Sequence, residues 1–280
     1  MKHSEFKFST FDGLELFGQS WQPELSPKAV VCLVHGLGEH IGRYAHVADR
    51  LTKAGYVILA FDLRGHGKSP GLRGHNLSYE AFMQDISSLL EISNKKFPQL
   101  PSFLYGHSLG GNLVLNYVLR RQSHLKGVIA TAPWLHLAFE PSPFKVILSK
   151  ITNKIWPSFS QSSGLDIKAL SHDSKIVKAY EKDPLVHSHI SARMFINIYL
   201  SGRWALEHSS EFSLPLLLMH GGDDKITSCK ASCEFTKKII NSKNCTFKIW
   251  DGLYHEIHNE PEKEEIFKFL IDWLDEKVLT

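Results

Sequence analysis

"LYGHSLGGNLVLNY", Leu104 to Tyr117, carries an apolar stretch into two glycines bracketing a histidine and a serine, and then into a helical repeat. A serine hydroxyl is a poor nucleophile until a base takes its proton, so a reactive serine needs a base within hydrogen-bond reach and an accessible position. A sharp strand-to-helix turn supplies that position. In Gly106-His107-Ser108-Leu109-Gly110 the serine takes the apex in strained backbone, and glycines two residues either side let strand and helix approach closely. Leu113, Val114, Tyr117 and Val118 then recur at helical spacing, and Arg120-Arg121 fall near the carboxyl end, where cations complement the helix dipole. The helix is therefore predicted to begin at the serine, its first amides aimed at charge that develops during acyl transfer.

Working outward, apolar runs of strand length alternate with longer segments of helical period. That rhythm gives a mostly parallel sheet with helices on both faces. Predicted core strands are Ala29–His35, Tyr56–Phe61, Phe103–Tyr105, Gly127–Thr131, Leu216–His220 and Thr246–Trp250. Several lack polar alternation, as strands buried on both faces do. Predicted helices cover Tyr44–Ala54, Tyr79–Phe97, Gly110–Arg121, Cys229–Ile240 and Glu262–Val278. At the amino end, side chains alternate around Asp12-Gly13, which predicts an antiparallel hairpin with a type I′ turn at a sheet edge.

The rhythm breaks from Trp134 to about Ser210, where amphipathic stretches and loop signals replace buried strands. Long connections of this kind are usually functional. The chain thus reads as a core of residues 1–133 and 211–280 with a helical cap, 134–210, inserted over the carboxyl edge of the sheet, where open α/β sheets bind ligands.

Composition narrows the classes. The chain has 280 residues, 43% hydrophobic and 22% charged, enough for one sizeable core. Net charge is +3 with basic residues scattered, which argues against nucleic acid as a partner. Met1–Thr10 has no apolar signal region, and no apolar run approaches the roughly 18 residues needed to span a bilayer. A cytoplasmic protein, at most peripheral at membranes, is the expectation. Cys32, Cys229, Cys233 and Cys245 are read as reduced thiols, and the sequons at Asn76 and Asn244 as chance.

Three further segments complete a chemistry around the serine. "VVCLVHGLGEH", Val30 to His40, ends a strand in a flexible turn, so the backbone amide of Leu37 can join that of Leu109 as two donors to a tetrahedral oxyanion. "LPLLLMHGGDDKI", Leu214 to Ile226, ends a buried strand in two aspartates, and "TFKIWDGLYHEIH", Thr246 to His258, ends the next in a loop with two histidines. One carboxylate would hold one imidazole in the right tautomer. Chemistry alone leaves open which aspartate and which histidine.

Taken together, "HGLGEHIGRY" at 35–44, "FDLRGHGKS" at 61–69, "GHSLGG" at 106–111, "DPLVHSHIS" at 183–191, "GGDDKI" and "GLYHEIH" closely resemble the monoacylglycerol lipase family of the α/β hydrolases, over nearly the whole chain. The resemblance implies the α/β-hydrolase fold, Ser108 as nucleophile, Asp224 as acid with Asp223 as fallback, and His255 as base. It also implies His258 as a polar pocket residue, and Glu39 and Arg43 as groups shaping the end where the alcohol leaves. It implies a monoacylglycerol as substrate, cleaved to fatty acid and glycerol, with a lysophospholipase or broader carboxylesterase on the same machinery as the alternative and a proline-directed aminopeptidase as a more distant third. A non-catalytic binding protein on the same fold is the competing class, disfavoured because Ser108, Asp224 and His255 are all present.

No cofactor is expected. "GHGKS" at 65–69 fails as a phosphate-binding loop because Asp62 stands where its first glycine belongs, and His255-Glu256-Ile257-His258 lacks the four-residue spacing of two zinc ligands on a helix. In the insertion, Pro143–Trp156 sets Phe144, Val146, Ile147, Ile151 and Ile155 among Lys145, Lys150 and Lys154. Such a basic amphipathic helix either rests on a membrane or micelle surface or packs on the core.

Overall fold

A computed structural model describes residues 1–122, 124–240 and 244–279. Its strands are β1 (Lys2–Ser9), β2 (Glu15–Gln22), β3 (Ala29–Val34), β4 (Tyr56–Phe61), β5 (Ser102–His107), β6 (Gly127–Thr131), β7 (Ser160–Ser162), β8 (His189–Ser191), β9 (Leu216–Gly221) and β10 (Cys245–Trp250). The helices are α1 (Ala45–Lys53), α2 (Tyr79–Lys96), α3 (Leu109–Arg120), α4 (Pro143–Ile155), α5 (Ser174–Lys182), α6 (Ala192–Glu207), α7 (Cys229–Lys237) and α8 (Lys263–Leu279).

Eight strands form one sheet in the order β1-β2-β4-β3-β5-β6-β9-β10. From β4 to β10 neighbours are parallel, while β1 pairs antiparallel with β2 and β2 with β4. This is the α/β-hydrolase architecture. Because side chains alternate across a strand, Val30, Cys32 and Val34 of β3 enter one core with α2, α3, α6 and α7, and Ala29, Val31 and Leu33 enter the other with α1 and α8. Both faces of β3, β4, β5 and β9 are closed, which is why these strands read as unbroken apolar runs. β10 departs from the core-strand expectation: as the last strand in the order it is only half-buried.

Strand order reverses at β3, which sends β4 to one side and β5 to the other. A crevice opens at the carboxyl ends of strands at such a reversal, so the loops after β3 and β5 face each other there.

Two expectations need correction. The hairpin turn is not type I′, which requires positive φ at both central residues; only Gly13 has it, at +82°. Thr10 N–H donates to the Leu14 carbonyl at 2.8 Å and Gly13 N–H to that of Thr10 at 3.1 Å, closing a three-residue loop with glycine in the left-handed position. Second, the inserted segment is not purely helical, since β7 and β8 form a short antiparallel ladder within it. Its last helix, α6, also belongs to the core: Met194, Ile198, Ala205 and Leu206 are buried in the same core as α3, and Asn116 Nδ2 donates to the Ser201 carbonyl at 3.2 Å.

Candidate active site

The turn after β5 is strained as its sequence predicts. Ser108 has φ +54° and ψ −113°, a left-handed conformation that costs a non-glycine residue about 1–3 kcal/mol. The surroundings hold it there. Ser108 N–H donates to the Thr131 carbonyl at 2.9 Å, and the Ser108 carbonyl accepts from Asn112 N–H at 3.0 Å and Trp134 N–H at 2.9 Å. Glycine is required at both flanks: a Cβ on Gly106 would strike the Gly110 carbonyl oxygen, and one on Gly110 the Val34 carbonyl oxygen. Ser108 is 7% exposed, and its hydroxyl has no hydrogen-bond partner among the described residues.

Asp224, on the loop after β9, has its side chain fully closed off. Its Oδ1 accepts from Ile226 N–H at 2.7 Å and Thr227 N–H at 3.0 Å. Its Oδ2 lies 2.7 Å from His255 Nδ1, 3.0 Å from His220 Nε2 and 2.9 Å from Thr227 Oγ1. Burial pushes this carboxyl upward, but the charge of His255 and the hydrogen bonds from His220 and His255 outweigh it and hold Asp224 well below the carboxylate range. Asp223, the fallback acid, is exposed.

His255, on the loop after β10, is buried; burial presses its imidazole toward neutrality, while Asp224 overrides it and raises the basicity. Its ring lies 4.8 Å from that of His107, the residue preceding Ser108. His255 Nε2 makes no hydrogen bond among the described residues, so it keeps free the nitrogen that a proton acceptor needs. The backbone of this loop is pinned by the insertion, since Glu256 N–H donates to the Leu170 carbonyl at 2.8 Å.

The amides of Leu37, after β3, and Leu109, at the start of α3, donate to no acceptor among the described residues. A buried N–H left unengaged is rare, and Leu109 is wholly buried. The turn carrying Leu37 is packed onto the serine, for a Cβ on Gly36 would lie 3.3 Å from Ser108 Cβ.

Glu39 and Arg43 turn toward each other rather than outward. Glu39 Oε1 accepts from Gly36 N–H at 2.6 Å and Tyr44 O–H at 2.7 Å, and Oε2 from Arg43 Nη1 at 2.6 Å. His258 is buried, stacked on Tyr44 at 5.1 Å and edge-on to His107 at 4.8 Å, and its Nδ1 has no partner among the described residues. Burial, then His107, pushes it well below the usual imidazole range.

Sequence reasoning missed Thr227, His220 and Glu256. Thr227 had a local signal, because an aspartate followed three residues later by threonine commonly closes an Asx-type turn. Glu256 had only its place beside His255.

Residues 25–262 match the family described as serine aminopeptidase, S33. A monoacylglycerol lipase of Mycolicibacterium smegmatis is 32% identical over 97% of this chain and 96% of its own length. An uncharacterized abhydrolase domain-containing protein of Dictyostelium discoideum is 37% identical over 99% of this chain, which spans 30% of that longer protein. The crystal structure of a Paleococcus ferrophilus monoacylglycerol lipase superposes with a TM-score of 0.84 at 36% identity, covering 99% of this chain and all of that one.

Proposed function

Because the chain belongs to the serine aminopeptidase S33 family of α/β hydrolases, we propose that it cleaves the ester bond of monoacylglycerols, releasing fatty acid and glycerol through an acyl-enzyme on Ser108. His255 Nε2 accepts the Ser108 proton as Oγ bonds to the ester carbonyl carbon. Asp224 holds the ring through Nδ1 and stabilises the imidazolium. The carbonyl oxygen, now an anion, is received by the Leu37 and Leu109 amides. Collapse breaks the bond to the alcohol oxygen, which leaves with the proton from His255. Water, deprotonated in turn by His255, then releases the acid.

The observation carrying this reading is the strained Ser108 turn beside the closed His255–Asp224 pair. That the hydroxyl and Nε2 are not yet bonded fits a resting site, since such contacts often tighten only with substrate bound. His258, with an unpartnered buried nitrogen, is assigned to the end that receives the alcohol.

Of residues 134–210, the part before α6 is read as the cap, since α6 itself packs in the core. No helix of the described residues is long and apolar enough to cross a membrane. On α4, however, Val146 is buried while Phe144, Ile147, Ile151 and Ile155 are 49–79% exposed among Lys145, Lys150 and Lys154. That distribution favours peripheral contact with a lipid surface over a stripe packed on the core.

The test is in two stages. A fluorophosphonate probe should label the wild type and leave Ser108→Ala silent; an unlabelled folded wild type refutes a serine hydrolase. Hydrolysis of mono-, di- and triacylglycerols, lysophospholipids and short p-nitrophenyl esters should then favour the monoacylglycerol, and preference for lysophospholipid would replace the substrate assignment.

A further inference from the structure

We infer that Arg43 and Glu256 are positioning residues that lock the oxyanion loop to the histidine loop. The inference rests on the serine-hydrolase reading and adds to it a link between the two halves of the machinery. One Arg43 guanidinium bridges two carboxylates. Nη1 donates to Glu39 Oε2 at 2.6 Å and to Glu256 Oε1 at 2.7 Å, and Nη2 donates to Glu256 Oε2 at 2.7 Å. The arginine–Glu256 contact is thus the two-pronged kind, which fixes angle as well as distance.

Each carboxylate is one step from a reacting group. Glu39 holds Gly36 N–H at 2.6 Å, and the next amide is Leu37. Glu256 follows His255 directly, and Asn259 Nδ2 steadies its Oε2 at 2.7 Å. The two loops are 213 residues apart in sequence, so this bridge ties the segment after β3 to the loop after β10.

Stability does not explain the arrangement. The side chains are 10%, 4% and 2% exposed for Arg43, Glu39 and Glu256. Buried ion pairs are often matched or bettered by apolar residues of similar volume, because desolvation offsets the attraction. Burial pushes the Glu39 carboxyl up, whereas Arg43 overrides burial and holds Glu256 ionised, and the Glu256 charge near His255 favours the imidazolium formed when Ser108 attacks.

Glu256→Gln keeps the shape and removes the charge. Around His255 it leaves in place Asp224 and its partner His220, His107, His258, Glu39 and Arg43. With p-nitrophenyl butyrate, kcat should fall about tenfold with KM within about twofold, the pattern of a loss felt only in the transition state. The acid limb of kcat/KM should move to lower pH by about half a unit, because a negative neighbour of the base is gone while Arg43 keeps only Glu39 as its carboxylate. Glu256→Asp, charged but too short for both prongs, should lose turnover with its acid limb in place. Equal kcat and an unmoved limb in Glu256→Gln would overturn the inference. Should that variant not fold, undiminished kcat in Glu256→Asp would overturn it instead. A wild type that resists fluorophosphonate labelling would sink the parent reading, a different result.

Discussion

Nε2 of His220 lies 3.0 Å from Oδ2 of Asp224, the same oxygen that Nδ1 of His255 approaches to 2.7 Å. With Thr227 Oγ1 at 2.9 Å and two amides on Oδ1, the carboxylate is fixed from both sides and cannot turn away from His255. Every partner at that oxygen is placed as a donor, so an amide nitrogen there would face donors and disfavour the productive tautomer. Asp224→Asn should lower kcat by about 10⁴ with the fold intact by circular dichroism. Retention of a tenth of wild-type turnover would rule out Asp224 as the orienting acid.

Leu37 offers a test of the backbone donor. Because its N–H engages no acceptor among the described residues, Leu37→Pro removes the proposed oxyanion donor without breaking an existing hydrogen bond. The expected loss is roughly 10²–10³ in kcat, the size of one oxyanion contact. Turnover within about threefold of wild type, in protein whose melting temperature is unchanged, would move the oxyanion site elsewhere.

Acid should destabilise the fold well above the carboxylate range. Burial, the largest cause in each case, pushes His35 and His107 down to about 3 and holds His66 and His258 well below the imidazole value of 6.5. Between pH 6.5 and about 3 the unfolded chain binds protons at these positions that the folded chain refuses, so stability falls as pH drops through that window. Each fully neutral group costs about 1.4 kcal/mol per pH unit there. His255, raised instead, runs the other way: its contribution is full below 6.5 and is lost as pH rises through its folded value. Asp224, depressed, contributes above 3.8 and fails only below that. The four buried neutral histidines outweigh both at pH 5. Urea midpoints should therefore be clearly lower at pH 5 than at pH 7, and identical midpoints would contradict the neutral assignment.

What the sequence made legible was set by contacts close in the chain. The strand, turn and helix around Ser108 were readable because the glycines, the apolar run and the helical spacing all lie within Leu104–Tyr117. Strands β3, β4 and β9 showed as apolar runs because both their faces are covered. Glu256 was not readable: a glutamate between histidines looks like a solvent-facing loop, and its burial is matched mainly by Arg43, 213 residues away, with Asn259 beside it. Glu260 is alike, wholly buried because Tyr254 N–H, His172 N–H and Ser171 Oγ all donate to it. The hairpin misled for a smaller reason, as Asp-Gly suits a left-handed glycine after a type I turn as well as a type I′ pair.

The surface of α4 yields the remaining prediction. Ile151 and Ile155 are 49% and 79% exposed on a helix whose neighbours Lys150 and Lys154 are cationic, an arrangement suited to anionic lipid. Seating one isoleucine in an apolar phase is worth about 1.5–3 kcal/mol, and about 1.4 kcal/mol is a factor of ten in affinity. Ile151→Glu or Ile155→Glu should therefore weaken sedimentation with phosphatidylglycerol-containing vesicles at least about tenfold. Both side chains are exposed whereas Ser108 and His255 are buried, so hydrolysis of dissolved p-nitrophenyl acetate should stay within about twofold of wild type. Higher salt should reduce wild-type binding as the lysines are screened. Vesicle binding that neither glutamate nor salt diminishes would leave α4 as an ordinary exposed helix and send the search for a lipid-facing surface elsewhere on the molecule.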